Sequence, residues 1–395
     1  MTTPAGARTS LGELARLFLK LGVTGFGGPA AHIAMMEQEV VRRRGWLSRE
    51  EFLDMIGATN LIPGPNSTEM AIHIGQARAG VPGLLVAGGC FIAPAVLIVT
   101  AVAWAYVRYG ALPAAGGILY GVKPVVIAVV LQALVGLGRT AVKGPALAVL
   151  GVAAAAATAL GVNELAVLGA AAVLGSARAW PRRGGGLAAP AFALRGGGAG
   201  GGAALATRGL APAAALAGGA GFGLWPLFAV FLKVGAVLFG SGYVLLAFLR
   251  ADLVARLHWM TERQLLDAIA VGQVTPGPVF TTATFVGYVL RGVPGAAVAT
   301  AGIFLPAFVY VAASGVLLPR LRRSPAARGA LDGVNVASLA LMAVVTWQLA
   351  GSALVDPWTW VLAAAGAALL LRWRLNASWL VLGGGLCGLA LKAAL

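Results

Sequence analysis

The chain has 395 residues, 59% hydrophobic and 11% charged, whereas an ordinary soluble domain carries about 25% charge. Its 29 Lys and Arg outnumber 13 Asp and Glu, for a formal charge of +16. With apolar stretches of bilayer-spanning length recurring throughout, this excludes a soluble enzyme on a single anchor and predicts an all-α polytopic membrane protein embedded in the lipid bilayer.

Glu13, Arg16 and Lys20 interrupt the first apolar run and no small-residue cleavage site follows, so the N-terminus is expected to remain as the first membrane helix. Apolar segments near 11–31, 83–107, 115–137, 145–160 and 162–176, then 224–249, 295–318, 331–352, 357–371 and 376–394, predict about ten transmembrane helices. Two further apolar stretches, 48–79 and 261–291, are broken by Pro63-Gly64-Pro65 and Pro276-Gly277-Pro278. They are expected to be re-entrant hairpins, although a single broken crossing fits the same pattern. From 177 to 220 the composition shifts to Gly, Ala, Pro and Arg without periodicity, which reads as a flexible linker between an N-terminal unit, 1–176, and a C-terminal unit, 221–395.

The two units are copies of each other. Phe18-Leu19-Lys20 matches Phe231-Leu232-Lys233, Trp46 matches Trp259, Asp54 matches Asp267, and the two Pro-Gly-Pro breaks match, all 213 positions apart. After a one-residue deletion the register continues at 212, through Pro94 with Pro306 and Gly121-Val122 with Gly333-Val334. Equivalent loops carry opposite charge. The loop 108–114 holds only Arg108 while 319–330 holds Arg320, Arg322, Arg323 and Arg328, and 138–144 holds Arg139 and Lys143 while 351–357 holds no Lys or Arg. Because Lys and Arg mark the cytoplasmic side, this predicts an inverted repeat with the linker inside.

Proline removes an amide donor and clashes with the preceding turn, so a break of this kind survives in a membrane only inside protein or along a watery cavity. Two breaks at corresponding places of inverted halves point to a transporter binding site. Asn66, Ser67 and Thr68 follow the first break, and Thr281 and Thr282 the second; with helix-start amides they suit an oxyanion. Asn66 with Glu69 also has the pattern of a capping box. Glu69 and His73 form an i, i+4 pair suited to carrying a proton, although only the first half has it. Lys20 and Lys233 lie deep in matching spans, where a lysine costs roughly 2.5–3.5 kcal/mol, so together they are a candidate clamp for a small dianion. Gly27, Gly28, Gly240 and Ser241 follow them in segments that break or thin the same helices.

Other chemistries lack support. No Gly-Lys-Ser/Thr follows the glycine runs, so transport is expected to be secondary, with a coupling ion left open. Phe239-Gly240-Ser241-Gly242 lacks the glycine of a hydrolase elbow. The three histidines and the two cysteines show no metal-ligand spacing. Thus no enzyme activity, cofactor or metal is expected. A basic stripe with interleaved aromatics is missing, which argues against a nucleic-acid partner. The oligomeric state is left open, with a homodimer allowed.

FLKLGVTGFGGPAAHI, GWLSREEFLD, LIPGPNSTEMAIHIG, FGSGYVLLAFL and VTPGPVFTTATFVGY together resemble the chromate ion transporter family in its long two-domain form. The resemblance covers about 12–138 and 224–350. It implies export of chromate, a sulfate-like dianion, across the inner membrane and hence chromate resistance. Transport of another small anion such as sulfate, or an anion channel, is the alternative.

Overall fold

The computed structural model describes residues 9–26, 28–110, 112–179, 223–239, 242, 244–373, 375 and 377–394. Among these, every regular element is helical. The segment read as a linker lies outside the described residues apart from 177–179, as do Gly27, Gly240 and Ser241.

The first half contains α1 (Leu11–Thr24), α2 (Gly28–Glu37, continued by a π-helical turn Gln38–Arg43), α3 (Arg49–Thr59), α4 (Asn66–Tyr109), α5 (Pro113–Ala141), α6 (Pro145–Ala159) and α7 (Glu164–Ala179). The second half repeats the order with α8 (Leu224–Val237), α9 (Leu245–Leu249, continued by a π-helical turn Arg250–Arg256), α10 (Glu262–Val274), α11 (Thr282–Arg323), α12 (Pro325–Ala353), α13 (Pro357–Trp373) and α14 (Ala377–Ala394). The start signals recur too. Ser48 with Glu51 and Thr261 with Gln264 form capping boxes on α3 and α10. Proline opens α5, α6, α12 and α13, where its missing amide costs nothing.

Three expectations change. The apolar runs 11–31 and 224–249 are each two helices, because α1 stops at Thr24 and α8 at Val237. Fourteen residues span only about 21 Å, short of a hydrocarbon core of about 30 Å. Second, α4 and α11 run on from the breaks into the next apolar segment, but each folds sharply on itself, at Ala79-Gly80 (Gly80 φ 65°) and at Arg291-Gly292 (Gly292 φ 62°). Gly75 then lies against the backbone of Gly83, and Gly287 against Gly295, where a Cβ would collide. Third, Asn66 does not cap α4. Pro65 takes that position, Asn66 instead donates its side-chain amide to Asn60 Oδ1 at 3.0 Å, and the Glu69 carboxylate has no hydrogen-bond partner, so the expected capping box does not form.

Helices long and apolar enough to cross a bilayer are Asn66–Tyr109, Ala114–Ala141, Val279–Ser314 and Pro325–Ala353. The halves are intertwined: α5 packs on α13 and α14, while α12 packs on α6 and α7. Glycines permit these close approaches, Gly121 against Gly384 and Gly388, and Gly333 against Ala171. α5 and α12 lie side by side and antiparallel. Lys143, just past the end of α5, pairs with Asp332 near the start of α12 at 2.6 Å, and Tyr120 near the start of α5 donates to Asp356 past the end of α12 at 2.6 Å. That hydrogen bond, with the Thr359 amide, holds the Asp356 carboxyl below its ordinary pKa.

The hydrophobic cores break the symmetry. Leu14, Phe18, Met36, Trp46, Phe52 and Phe91 give α1–α4 a core of their own. Their counterparts in α8–α11, such as Phe231 and Leu249, belong to one large core shared with Val125–Val130 of α5 and Leu341 of α12.

Candidate functional site

Each Pro-Gly-Pro break is tied to the other half. The Gly64 amide donates to the carbonyl of Leu238 just past α8, and the Gly277 amide donates to the carbonyl of Gly25 just past α1, both at 2.8 Å. Position 25 matches 238 and 64 matches 277 in the 213-residue register, so one hydrogen bond is made twice across the pseudo-symmetry. These bonds satisfy backbone groups that a break inside a membrane would otherwise orphan. Gly64 (φ 143°) and Gly277 (φ 93°) adopt conformations that favour glycine. Buried His32 adds a second bond to the Gly25 carbonyl, at 2.9 Å from Nε2.

Both breaks end at one cavity of about 510 Å³. Pro65, Asn66 and Ser67 line it from the first break, and Pro278, Val279 and Phe280 from the second. Asn60 at the end of α3, Asn335 and Ser338 on α12, and the Lys143–Asp332 pair also line it. The wall is lopsided. The first break offers an amide and a hydroxyl where the second offers a valine and a phenylalanine.

Of the other expected site residues, Thr68, Thr281 and Thr282 are fully buried and do not line the cavity. Thr281 and Thr282 donate their hydroxyls back to the carbonyls of Pro278 and Val279 at 2.8 Å, bracing the break instead of facing a ligand. Gly28 lines a different, small cavity near the second break. Glu69 is completely buried behind the first break, packed over Gly64, and neither of its carboxylate oxygens has a hydrogen-bond partner. His73 lies one turn further along α4, also buried.

Neither lysine lines the cavity, and neither ammonium is free. Lys20 pairs with Glu39 at 2.9 Å, and Glu39 also holds Arg43 at 3.0 Å. Lys233 pairs with Asp252, which also holds Arg256 at 2.7 Å. Glu39 and Asp252, like Arg43 and Arg256, stand 213 positions apart, and both acids sit in the two π-helical turns. The repeat therefore carries a lysine, carboxylate and arginine cluster in each half. Aligning the acids with the same offset as the lysines would have exposed it in the sequence.

A family profile described as "Chromate transporter" matches the chain twice, over residues 12–176 and 225–389. The chain belongs to the chromate transporter family. It is similar to a chromate transport protein of Cupriavidus metallidurans, 33% identical over 98% of this chain and 96% of that protein. A chromate transport protein of Pseudomonas aeruginosa is 32% identical over 95% of this chain and 91% of its own length, and a probable chromate transport protein of Synechococcus elongatus is 30% identical over 93% and 91%. No solved structure matches. As a chromate transporter family member the chain is a multi-pass membrane transporter and not an enzyme.

Within this family member one further cluster stands out that the sequence reading missed. Lys123 on α5 and Asp267 on α10 form an ion pair at 3.0 Å, both nearly fully buried, and the Tyr106 hydroxyl donates to Asp267 at 2.9 Å. The available signal was a lysine inside the apolar run 115–137 whose repeat mate is Asn335.

Proposed function

We propose that this chain exports a small oxyanion dianion, chromate foremost, from the cytoplasm across the inner membrane by alternating access between two inverted halves. Convergence of both Pro-Gly-Pro ends on one cavity carries this reading, since broken helices at a repeat interface are where such transporters hold their substrates. The relatives named as chromate transport proteins, aligned over nearly the whole chain, supply the substrate.

The finer architecture follows the same reading. Residues 1–176 and 221–395 are the two halves and 177–220 their link. α3 with 66–78, and α10 with the first part of α11, are re-entrant hairpins ending at the breaks; about ten other segments make up the crossings. Inversion is supported by the antiparallel α5 and α12. Their shared end carries Arg139, Lys143 and Arg328, which supports a cytoplasmic placement, and Thr140, Ala141, Lys143 and Asp332 of that end line the 510 Å³ cavity. The arrangement is thus a cytoplasm-facing state ready to load.

Asn60, Asn66, Ser67, Asn335 and Ser338 bind the anion, with Lys143 drawing it in. Thr68, Thr281, Thr282 and the two Pro-Gly-Pro turns hold the walls in place. Glu69, a buried carboxyl without a hydrogen-bond partner, is the proton site if the coupling ion is a proton, with His73 beside it. The Lys20 and Lys233 clusters are ion-paired supports, each with a cation in excess, that exchange carboxylate for substrate only when the halves rearrange. The chain acts alone or as a homodimer.

Flux of radiolabelled chromate into everted vesicles, competed with sulfate and molybdate, tests the proposal. Energised uptake that sulfate inhibits is expected. Uptake no greater than in vesicles lacking the protein would overturn it.

A further inference from the structure

The cavity has a closed counterpart. Thr59, Asn60, Ile62 and Asn66 line the large cavity, and the positions matching them, Gly272, Gln273, Thr275 and Val279, line one of only about 20 Å³. It is sealed by α14, whose Ala377 and Ser378 line it and whose Ser378 hydroxyl donates to the Gln273 carbonyl. The same difference appears in the packing. α10 lies on α5, α12 and α14, while its mate α3 has substantial contact only with α4. The molecule is thus open beside the first break and shut at the matching place beside the second.

Asn335 lines the open cavity, and the residue at its place in the other half is Lys123. When the shut end opens, pseudo-symmetry puts Lys123 where Asn335 now stands. We infer that Lys123 is the anion-binding cation of a second half-site, exposed only in the opposite state and covered here by Asp267 and Tyr106. The inference rests on the proposed oxyanion transport and deepens it.

The cover has the chemistry of a stand-in ligand. Asp267 presents a carboxylate to the buried ammonium at 3.0 Å, as a bound oxyanion would, and Tyr106 fixes that carboxylate from its other oxygen. Both Asp267 and its gate helix α10 belong to the half that must move, whereas Lys123 sits on α5. Withdrawal of α10 therefore removes the internal anion and leaves a desolvated cation facing the new cavity, a state that an incoming dianion stabilises. At the open end the matching positions carry different groups. Asp54, the mate of Asp267, is exposed, and positions matching Lys123 and Tyr106 are Asn335 and Leu318. The two half-sites thus differ in charge, with the neutral one loading and the cationic one on the far side.

A buried ion pair of purely structural purpose behaves differently on double substitution, because replacing both partners by neutral groups of similar volume is often neutral or stabilising. The test is chromate flux in vesicles carrying wild type, Lys123→Arg, and Lys123→Met combined with Asp267→Asn. The inference expects the double variant to reach the membrane at wild-type abundance yet carry chromate at least about tenfold more slowly, with Lys123→Arg retaining transport. Wild-type flux from the double variant would overturn it while leaving the oxyanion reading intact. No flux from wild type itself would overturn both.

A second measurement does not depend on the double variant folding. Lys123→Cys, placed in a chain with Cys90→Ala and Cys387→Ala, should react with a membrane-impermeant cationic thiol reagent from the non-cytoplasmic face of right-side-out vesicles. A thiol that stays unreactive from that face would overturn the inference.

Discussion

The units α1–α4 and α8–α11 share capping boxes, π-helical turns, ion clusters and Pro-Gly-Pro breaks, but the first carries a core of its own and the second shares the large core of the protein. Matching sequence combined with unequal packing teaches that repeated segments need not reach matching environments, because what they dock against differs between the halves.

The largest test of this comparison is Asp267 against Asp54. Asp267→Ala leaves Lys123 buried without its counter-charge and should cost about 3–5 kcal/mol, whereas Asp54→Ala at an exposed position should cost no more than about 1 kcal/mol. Unfolding midpoints of the purified variants in detergent measure both. Equal losses would break the asymmetry.

Gly64→Ala and Gly277→Ala should instead cost the same in both halves. Each puts a Cβ on a backbone with φ 143° or 93° and crowds Glu69 or Ala95, for about 1–3 kcal/mol. A marked difference between the two midpoints would mean that the crossed hydrogen bonds of the breaks are not equivalent.

The ion clusters give a smaller contrast. Lys233→Ala leaves Asp252 buried with Arg256 as its remaining partner, and about 1–2 kcal/mol should be lost. Lys20 is 56% exposed and Glu39 keeps two arginines, so Lys20→Ala should cost about 0–1 kcal/mol. The same midpoints rank them, and the reverse order would place the tighter cluster in the first half.

The smallest effect sharpens the comparison at one backbone position. His258 is exposed with φ 53°, where the first half has Gly45 at φ 60°. His258→Gly should therefore raise stability by about 1 kcal/mol, and no gain would show that the turn tolerates the histidine without strain.

Much of the fold was legible. The 213-residue offset alone pairs α1 with α8, α3 with α10 and the two breaks, because a duplicated sequence repeats its caps, prolines and apolar periods. Helix ends were less legible where glycine acts through tertiary contact. The stop of α1 at Thr24 depends on Gly25 receiving the Gly277 amide, a partner more than 250 positions away, and the folding of α4 at Gly80 depends on Gly75 meeting Gly83. At the site, Asn66 and Ser67 could be read from their place after the break. Lys123 and its mate Asn335 were legible only as polar residues inside apolar runs, which look the same whether they face a cavity or an internal carboxylate.

The sequence by itself determined the membrane class, the duplication, the location of the two breaks and the family, all of which are local patterns or patterns repeated at a fixed distance. Only the tertiary structure decided that the breaks cross-bond, that Lys20 and Lys233 are ion-paired within their own halves, and that a cavity opens beside the first break. Those outcomes depend on contacts between segments far apart in the chain, which no single segment encodes.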